Sequence, residues 1–320
     1  MTKYNRCISS AAELVTSREQ TRAGFVEAAL EKSHRAAPYV KEAQTLHTLA
    51  SAAENPMALL GMENIRPSLL TAAGLSDKAL NYFTEDDKTK AIEDMIKGCL
   101  EPAGEKFVDE LVYRFLLTRG ETLGGTMRNL VSAIAETKLK RELLSVLSVQ
   151  KIAYSLLFKK DKPQNKWEQP SYDDAYSLAQ DICAFSWGKE KESKVLFFNT
   201  TIPAVKKNVD ICLYNGTPAA FDGGQLANKA DKAVMFGELK GGIDPAGADE
   251  HWKTGNSALK RIRDVFGKDI IKTSFLGAAI ESAMAEEIFA QLEDGTLSNA
   301  ANITCHEQLT KYCQWLVTLR

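Results

Sequence analysis

The sequence predicts a mixed α/β protein: a central sheet of mixed strand direction with helices on its faces, preceded by a large helical region. Two observations carry this. Apolar side chains up to about residue 158 recur at helical spacing, whereas residues 195–198, 208–214 and 233–241 are short, strand-like apolar runs. The second half then reads helix, three strands, helix, strand, an order that lays helices on the faces of a sheet.

Taken in order, Leu14, Val15, Phe25, Val26, Ala29 and Leu30 recur near helical spacing with charges between them. Pro38 opens a second helix, which runs through Leu46, Leu49 and Ala53 and stops at Asn55-Pro56. Leu69, Leu70 and Leu75 mark short turns, and Gly74 with Ser76-Asp77 marks a break and a new cap. Phe107, Leu111 and Phe115 form an apolar stripe that Gly120, Gly124 and Gly125 interrupt. That interruption is either a tight helix–helix connection or a set of backbone N–H groups, leading to Arg128, for a phosphate. Residues 133–157 continue helical. Residues 159–166 are polar, basic and broken by Pro163, and so separate a helical region, 1–158, from a core, 159–320.

A helix follows through Tyr176, Leu178, Ile182 and Phe185 to Gly188, and then the three strands. Residues 249–266 are helical, with Trp252, Leu259, Ile262 and Phe266 on one face. Residues 273–280 form a buried strand, and Ser282 caps a last helix.

With 44% hydrophobic and 26% charged residues over 320 positions, the composition is that of an ordinary globular protein. A net charge of −2 excludes a generally basic nucleic-acid binder, so any DNA surface must be a local concentration of Lys and Arg. The six cysteines show no C-x-x-C pair and imply reduced thiols. No apolar run approaches a membrane span and residues 1–6 lack a signal core, which implies a cytoplasmic protein with no membrane partner.

The chemistry gathers between residues 205 and 263. Val209, Ile211 and Leu213 alternate as on a strand, with Asp210 and Cys212 facing the other way. Glu238-Leu239-Lys240 ends the next strand and leads into Gly241-Gly242. Alternation puts Glu238 and Lys240 on one face, where both meet Asp210 if the strands are neighbours. Two carboxylates suit a hard cation such as Mg²⁺, and an ammonium beside them holds or polarises a water. That is the layout of a metal-dependent phosphodiesterase. By itself the pattern also fits a solvated strand edge; the two glycines, which free the backbone to approach a ligand, favour the site.

The run from Gly237 through Lys240, Gly241-Gly242-Ile243-Asp244-Pro245 and Asp249-Glu250-His251-Trp252-Lys253 closely resembles the AvaI/BsoBI type of type II restriction endonuclease. Further matches lie at 65–80 and 120–129, and the resemblance covers nearly the whole chain. It implies a restriction-endonuclease-like PD-(D/E)xK core and cleavage of double-stranded DNA at the palindrome C-Y-C-G-R-G, near the outer cytosine, with a 5′ overhang. It also implies metal on Asp210 and Glu238, a catalytic Lys240, a histidine used at His251, and base or groove contacts from Lys78, Lys207 and Asp244. Val209 stands where the commonest motif has proline, a residue without a chemical role.

On spacing alone His251, eleven residues after Lys240 at the start of a helix, would be structural; the resemblance implies instead that it takes a proton or holds the phosphate. His34 is expected to be solvated and His47 packed. Lys206-Lys207, Lys253, and Lys260-Arg261 with Arg263 flank the carboxylates as a phosphate track, and Asp244 could accept from cytosine N4. A palindrome cut on both strands implies a homodimer, with the helical region packing on the partner and closing around the duplex. Two other functions share these residues: a repair or recombination nuclease that reads DNA structure, and a DNA-binding protein with structural carboxylates.

Overall fold

A computed structural model describes residues 8–189, 192–221, 230–268 and 270–320, with only the backbone at 127–129. The chain opens with a short helix, α1 (Ala11–Leu14), and a 33-residue helix, α2 (Arg18–Ala50). Pro38 lies inside α2 instead of opening a second helix. A proline there forfeits one hydrogen bond and crowds the preceding turn. The strong helix formers around it, Ala-Leu-Glu-Lys before and Lys-Glu-Ala-Gln after, carry the helix across.

Next come α3 (Arg66–Ala72), α4 (Asp77–Leu80), α5 (Glu85–Met95) and a 43-residue helix, α6 (Phe107–Val149). Ser76 caps α4 by accepting from the Ala79 N–H at 3.2 Å, as its sequence suggests. Helix α6 runs unbroken through Gly120, Gly124 and Gly125, so neither a connection nor a phosphate loop exists there. Within a helix those amides already donate to carbonyls one turn back. The side chain of Arg128 lies outside the described residues.

The chain divides into two compact units, residues 26–130 and residues 1–25 with 131–320. The division falls within α2 and α6, not at 158/159, because the polar stretch at 159–166 is only a 3₁₀ turn (Lys159–Gln164) on the sheet-bearing unit. In the 26–130 unit, Leu46, Leu69, Ile92, Leu111 and Phe115 share one core. His47 is half-exposed there, 3.5 Å from Asp109, and is not packed as expected. His34 is exposed, as expected.

In the other unit, β1 (Tyr154–Phe158), β2 (Trp167–Glu168), a short α7 (Tyr172–Ser177), β3 (Ile182–Trp187), β4 (Lys194–Ile202), β5 (Lys207–Asn215) and β6 (Ala233–Lys240) follow. Then come α8 (Ala248–Phe266), β7 (Lys272–Gly277), α9 (Ser282–Glu293), β8 (Asn299–Asn302) and α10 (His306–Thr318). Two expected helices are therefore partly strand. Residues 154–158 pair with β3, and Ile182 and Phe185 lie in β3 itself. A strand buried on both faces has no alternation to betray it. Ser282 is the first helical residue of α9, and the N-cap is Glu281, without a side-chain cap bond.

The sheet has eight strands in the order β2-β1-β3-β4-β5-β6-β7-β8. It is antiparallel up to β6, and parallel for β6/β7 and β7/β8. One face packs residues such as Leu139 and Leu143 of α6 and Leu309 and Leu316 of α10. The other packs Trp252, Leu259 and Ile262 of α8 and Ile288 of α9. This mixed sheet between helical layers is the architecture expected from the sequence. Among the described residues, no helix is long and apolar enough to cross a membrane.

Candidate active site

The site forms where β5 parts from β6. The antiparallel ladder between them ends at Ile211↔Gly237. One residue further, Asp210 Oδ2 accepts the backbone N–H of Leu239 at 2.8 Å. On the other side of β5 the register runs Phe198↔Ile211 and Thr200↔Val209, leaving Asn199 and Asp210 on the rung between. Asn199 is in the left-handed region, φ 48°. The strict alternation expected along 209–213 breaks at this rung. Ile211 and Leu213 pack on the α6 face, while Val209 joins Cys212 and Tyr214 on the α8 face.

Glu238 and Lys240 do share one face of β6, as their spacing requires. Lys240 Nζ is 2.8 Å from Glu238 Oε2 and 3.8 Å from Asp210 Oδ2. A Cβ at Gly255 of α8 would meet the Lys240 Cε at 3.5 Å, so the lysine stem rests on that helix. Glu238 is 4% exposed. Burial pushes its carboxyl up to about 7, the Asp210 charge adds to the rise, and Lys240 opposes it. Burial also raises Asp210, against the pull of Lys240 and of the Leu239 N–H, with Glu136 pushing the same way as burial. For Lys240, burial works against the ammonium, but the two carboxylates outweigh it and its pKa rises.

A buried and a half-buried carboxylate that resist joint ionisation are a donor set that a divalent cation relieves. They are hard oxygen ligands, as Mg²⁺ prefers. Among the described residues no group of three or more His, Cys, Asp and Glu side chains is arranged to hold a metal. The fit is therefore to a cation that keeps most of its coordination for water and substrate, which is how Mg²⁺ is bound at phosphoryl sites.

Gly241 and Gly242 are sites of close packing. A Cβ at Gly241 would lie 2.8 Å from Ser132 Cα and 2.9 Å from the Val131 carbonyl oxygen, so only glycine lets α6 abut the end of β6. At Gly242 it would lie 2.7 Å from His251 Nε2. The imidazole thus lies over the backbone two residues beyond Lys240. Among the described residues it makes no hydrogen bond to Asp210, Glu238 or Lys240.

The other residues singled out in the sequence are placed as follows. Lys207 begins β5 and is exposed, as are Lys260 and Arg261 on α8. Lys253 is exposed and paired with Asp249 at 2.5 Å. Arg263 does not belong to a phosphate track: half-buried, its Nη1 donates to Thr273 Oγ1 at 3.2 Å. Asp244 is exposed and caps a 3₁₀ turn, its Oδ1 accepting from the Ala246 N–H at 3.0 Å. Lys78 lies exposed on α4 in the 26–130 unit. Cys99, Cys183, Cys212, Cys305 and Cys313 are free thiols.

Sequence reasoning missed one wall. A cavity of about 180 Å³ is lined by Ser132 and Glu136 of α6, Phe198 and Asn199 of β4, Asp210 and Ile211 of β5, and Leu239 and Lys240 of β6. Glu136 pairs there with Lys140 and accepts from the Asn199 amide. Glu136 lies far upstream of Asp210, and only its one-turn spacing from Lys140 could have hinted at it.

An aspartate where one strand leaves another, Glu-x-Lys on that neighbour and a mixed sheet between helical layers have the form of a restriction-endonuclease-like PD-(D/E)xK core. The comparisons with known proteins narrow this. A family model described as "Restriction endonuclease BsobI" matches residues 4–319. The chain is 46% identical over 318 residues to the type II restriction enzyme BsoBI of Geobacillus stearothermophilus, covering 99% of this chain and 98% of that one. It is also 46% identical over 319 residues to the type II restriction enzyme AvaI of a Nostoc species and to that of Anabaena variabilis, covering 99% of each partner. The chain belongs to the BsobI restriction endonuclease family. Its class of activity is accordingly that of a type II restriction enzyme, a site-specific deoxyribonuclease.

Proposed function

We propose that the chain cuts both strands of DNA at the degenerate palindrome C-Y-C-G-R-G, next to the outer cytosine, in a Mg²⁺-dependent reaction. The observation that carries the chemistry is the convergence of Asp210, Glu238 and Lys240 where β5 and β6 separate. The recognition sequence rests on the family resemblance.

In this reading Asp210 and Glu238 hold the cation. Bound there, Mg²⁺ would neutralise charge on the scissile phosphate and lower the pKa of a coordinated water. Lys240 orients the attacking water and stabilises charge that develops on the phosphate oxygens. His251, over Gly242, accepts the proton that the water loses, or holds the phosphate. The water oxygen bonds to phosphorus as the bond to the leaving deoxyribose oxygen breaks, and that oxygen takes a proton from solvent.

Lys207 and Lys253 contact phosphates, while Lys78 and Asp244 reach the grooves. Asp244 retains an oxygen beyond the one that caps Ala246, which suits an acceptor for cytosine N4. The enzyme works as a homodimer, with helices of the 26–130 unit packing on the partner and enclosing the duplex. Free thiols suit the reducing cytoplasm where it would act.

Digestion of a plasmid of known sequence with Mg²⁺, followed by sequencing of the fragment ends, tests the cleavage site and its overhang. Fragments ending at C-Y-C-G-R-G with 5′ overhangs are expected. Ends placed by DNA structure regardless of sequence would mean a repair-type nuclease, and an intact plasmid would mean that the carboxylates are structural.

A further inference from the structure

We propose that Glu136 is a positioning residue for cleavage: its carboxylate accepts a hydrogen bond from a water of the hydrated cation in the cavity that it lines together with Asp210. The inference rests on the assignment of Asp210 and Glu238 as cation ligands.

Three features of the cavity wall lead there. The first is how Glu136 is held. Oε1 pairs with Lys140, and Oε2 accepts from Asn199 Nδ2. Lys140 is 1% exposed, with its ammonium 4.9 Å from the centre of the Phe198 ring. A carboxylate offers about four acceptor directions, so two remain after these bonds. Because Glu136 lines the cavity, those directions are available to water inside it.

The second feature is Asn199. A left-handed residue in the middle of a strand is uncommon, and asparagine tolerates that conformation better than most residues that carry a Cβ. Here it falls on the rung that Asp210 occupies. One rung of the β4/β5 pairing thus carries both Asp210 and the asparagine whose amide donates to Glu136.

The third is room. A volume of about 180 Å³ exceeds the roughly 30 Å³ that one water takes in the liquid by several times. A cation with two protein carboxylates keeps several waters, and their protons need acceptors in the cavity wall. Ser132 and Glu136, one helical turn apart on α6, are the α6 residues that line that wall.

The obvious variant, Glu136→Gln, leaves Lys140 buried without its partner and can fail by unfolding alone. The decisive variant is therefore the double substitution Glu136→Gln with Lys140→Met, which removes the buried charge together with its partner. A counterion role predicts that this pair restores wild-type behaviour. A positioning role predicts folded protein with unchanged affinity for a short cognate duplex. It also predicts a loss of roughly 10–100-fold in single-turnover cleavage or in apparent Mg²⁺ affinity, the usual effect of losing an outer-shell partner. Affinity is read from the Mg²⁺ concentration that raises the melting temperature of the DNA-free protein, a measurement independent of turnover. Asn199→Gly, which suits φ 48° and keeps the Lys140 pair, should lose cleavage in the same direction and to a smaller extent. A double variant with wild-type cleavage and a wild-type Mg²⁺ midpoint overturns the assignment. A wild-type protein whose melting temperature ignores Mg²⁺ instead refutes the cation site itself.

Discussion

Leu239 donates its backbone N–H to Asp210 Oδ2 at 2.8 Å, so a side-chain carboxylate takes up the sheet bond at the point where β5 has left β6. That bond holds the aspartate in the position from which it faces Lys240. It also means that Asp210 serves the sheet as well as the proposed cation site.

Asp210→Asn or Glu238→Gln removes a charge and keeps the shape. Cleavage with Mg²⁺ is expected to fall by orders of magnitude while binding of a cognate duplex persists, because phosphate and base contacts lie elsewhere. Single-turnover rates and a gel-shift titration measure the two effects separately. Near wild-type cutting by either variant would remove that residue from the cation site.

Stability should depend on pH through Glu238. Its carboxyl rises from an ordinary 4.5 to about 7 in the folded chain. The folded state therefore keeps a proton that the unfolded state releases. This stability is fully present below pH 4.5 and lost as pH rises through about 7, a change on the order of 3 kcal/mol. Asp210, raised in the same direction, adds to it. The melting temperature of metal-free protein should decline between pH 5 and pH 8, with Mg²⁺ restoring more at pH 8 than at pH 5. Glu238→Gln should flatten both trends. A metal-free melting temperature that climbs over this interval contradicts the burial argument.

His251→Ala should fold, bind DNA and cut slowly, by roughly 10²–10⁴-fold if the imidazole is a proton acceptor. Gly242→Ala gives an independent handle, since its Cβ would lie 2.7 Å from His251 Nε2 and displace the ring. Both variants should then lose activity without losing the cognate complex. A lowered melting temperature with full specific activity in the folded fraction would assign the histidine to structure alone.

Much of the site was legible because its chemistry is compressed. Glu238 and Lys240 lie two residues apart on a strand, so alternation alone places them together. Asp210 sits on a recognisable apolar run. Glu136 was hidden because nothing in the spacing of a helical residue reveals which strand end it faces. The fold was legible where periodicity is strong, as in α8, and obscure where burial or polarity erases it. Residues 182–187 are nearly all buried and so lack alternation, while β8 is Asn-Ala-Ala-Asn. Pro38 and the glycines at 120, 124 and 125 misled for a common reason: local breakers yield when flanking residues favour helix strongly enough.

Quaternary structure is tested by sedimentation of the free protein and of its complex with a short cognate duplex. Two chains per duplex are expected, since one site reaches one scissile phosphate in a given pose. One chain per duplex making a concerted double-strand cut would sink the dimer.

Strand β6 is the last strand of an antiparallel run and the first of a parallel one. Antiparallel neighbours from β3 onward are consecutive in the chain, whereas β7 must wait for the whole of α8 to cross over. Local pairing precedes distant pairing when loop closure limits the rate. We therefore expect assembly in two stages, with Asp210 and Glu238 brought together first and Lys240 seated against Gly255 only when α8 docks. Pulsed hydrogen exchange during refolding should protect the amides of β4 and β5 before those of β7. Simultaneous protection would show that the sheet closes in one step.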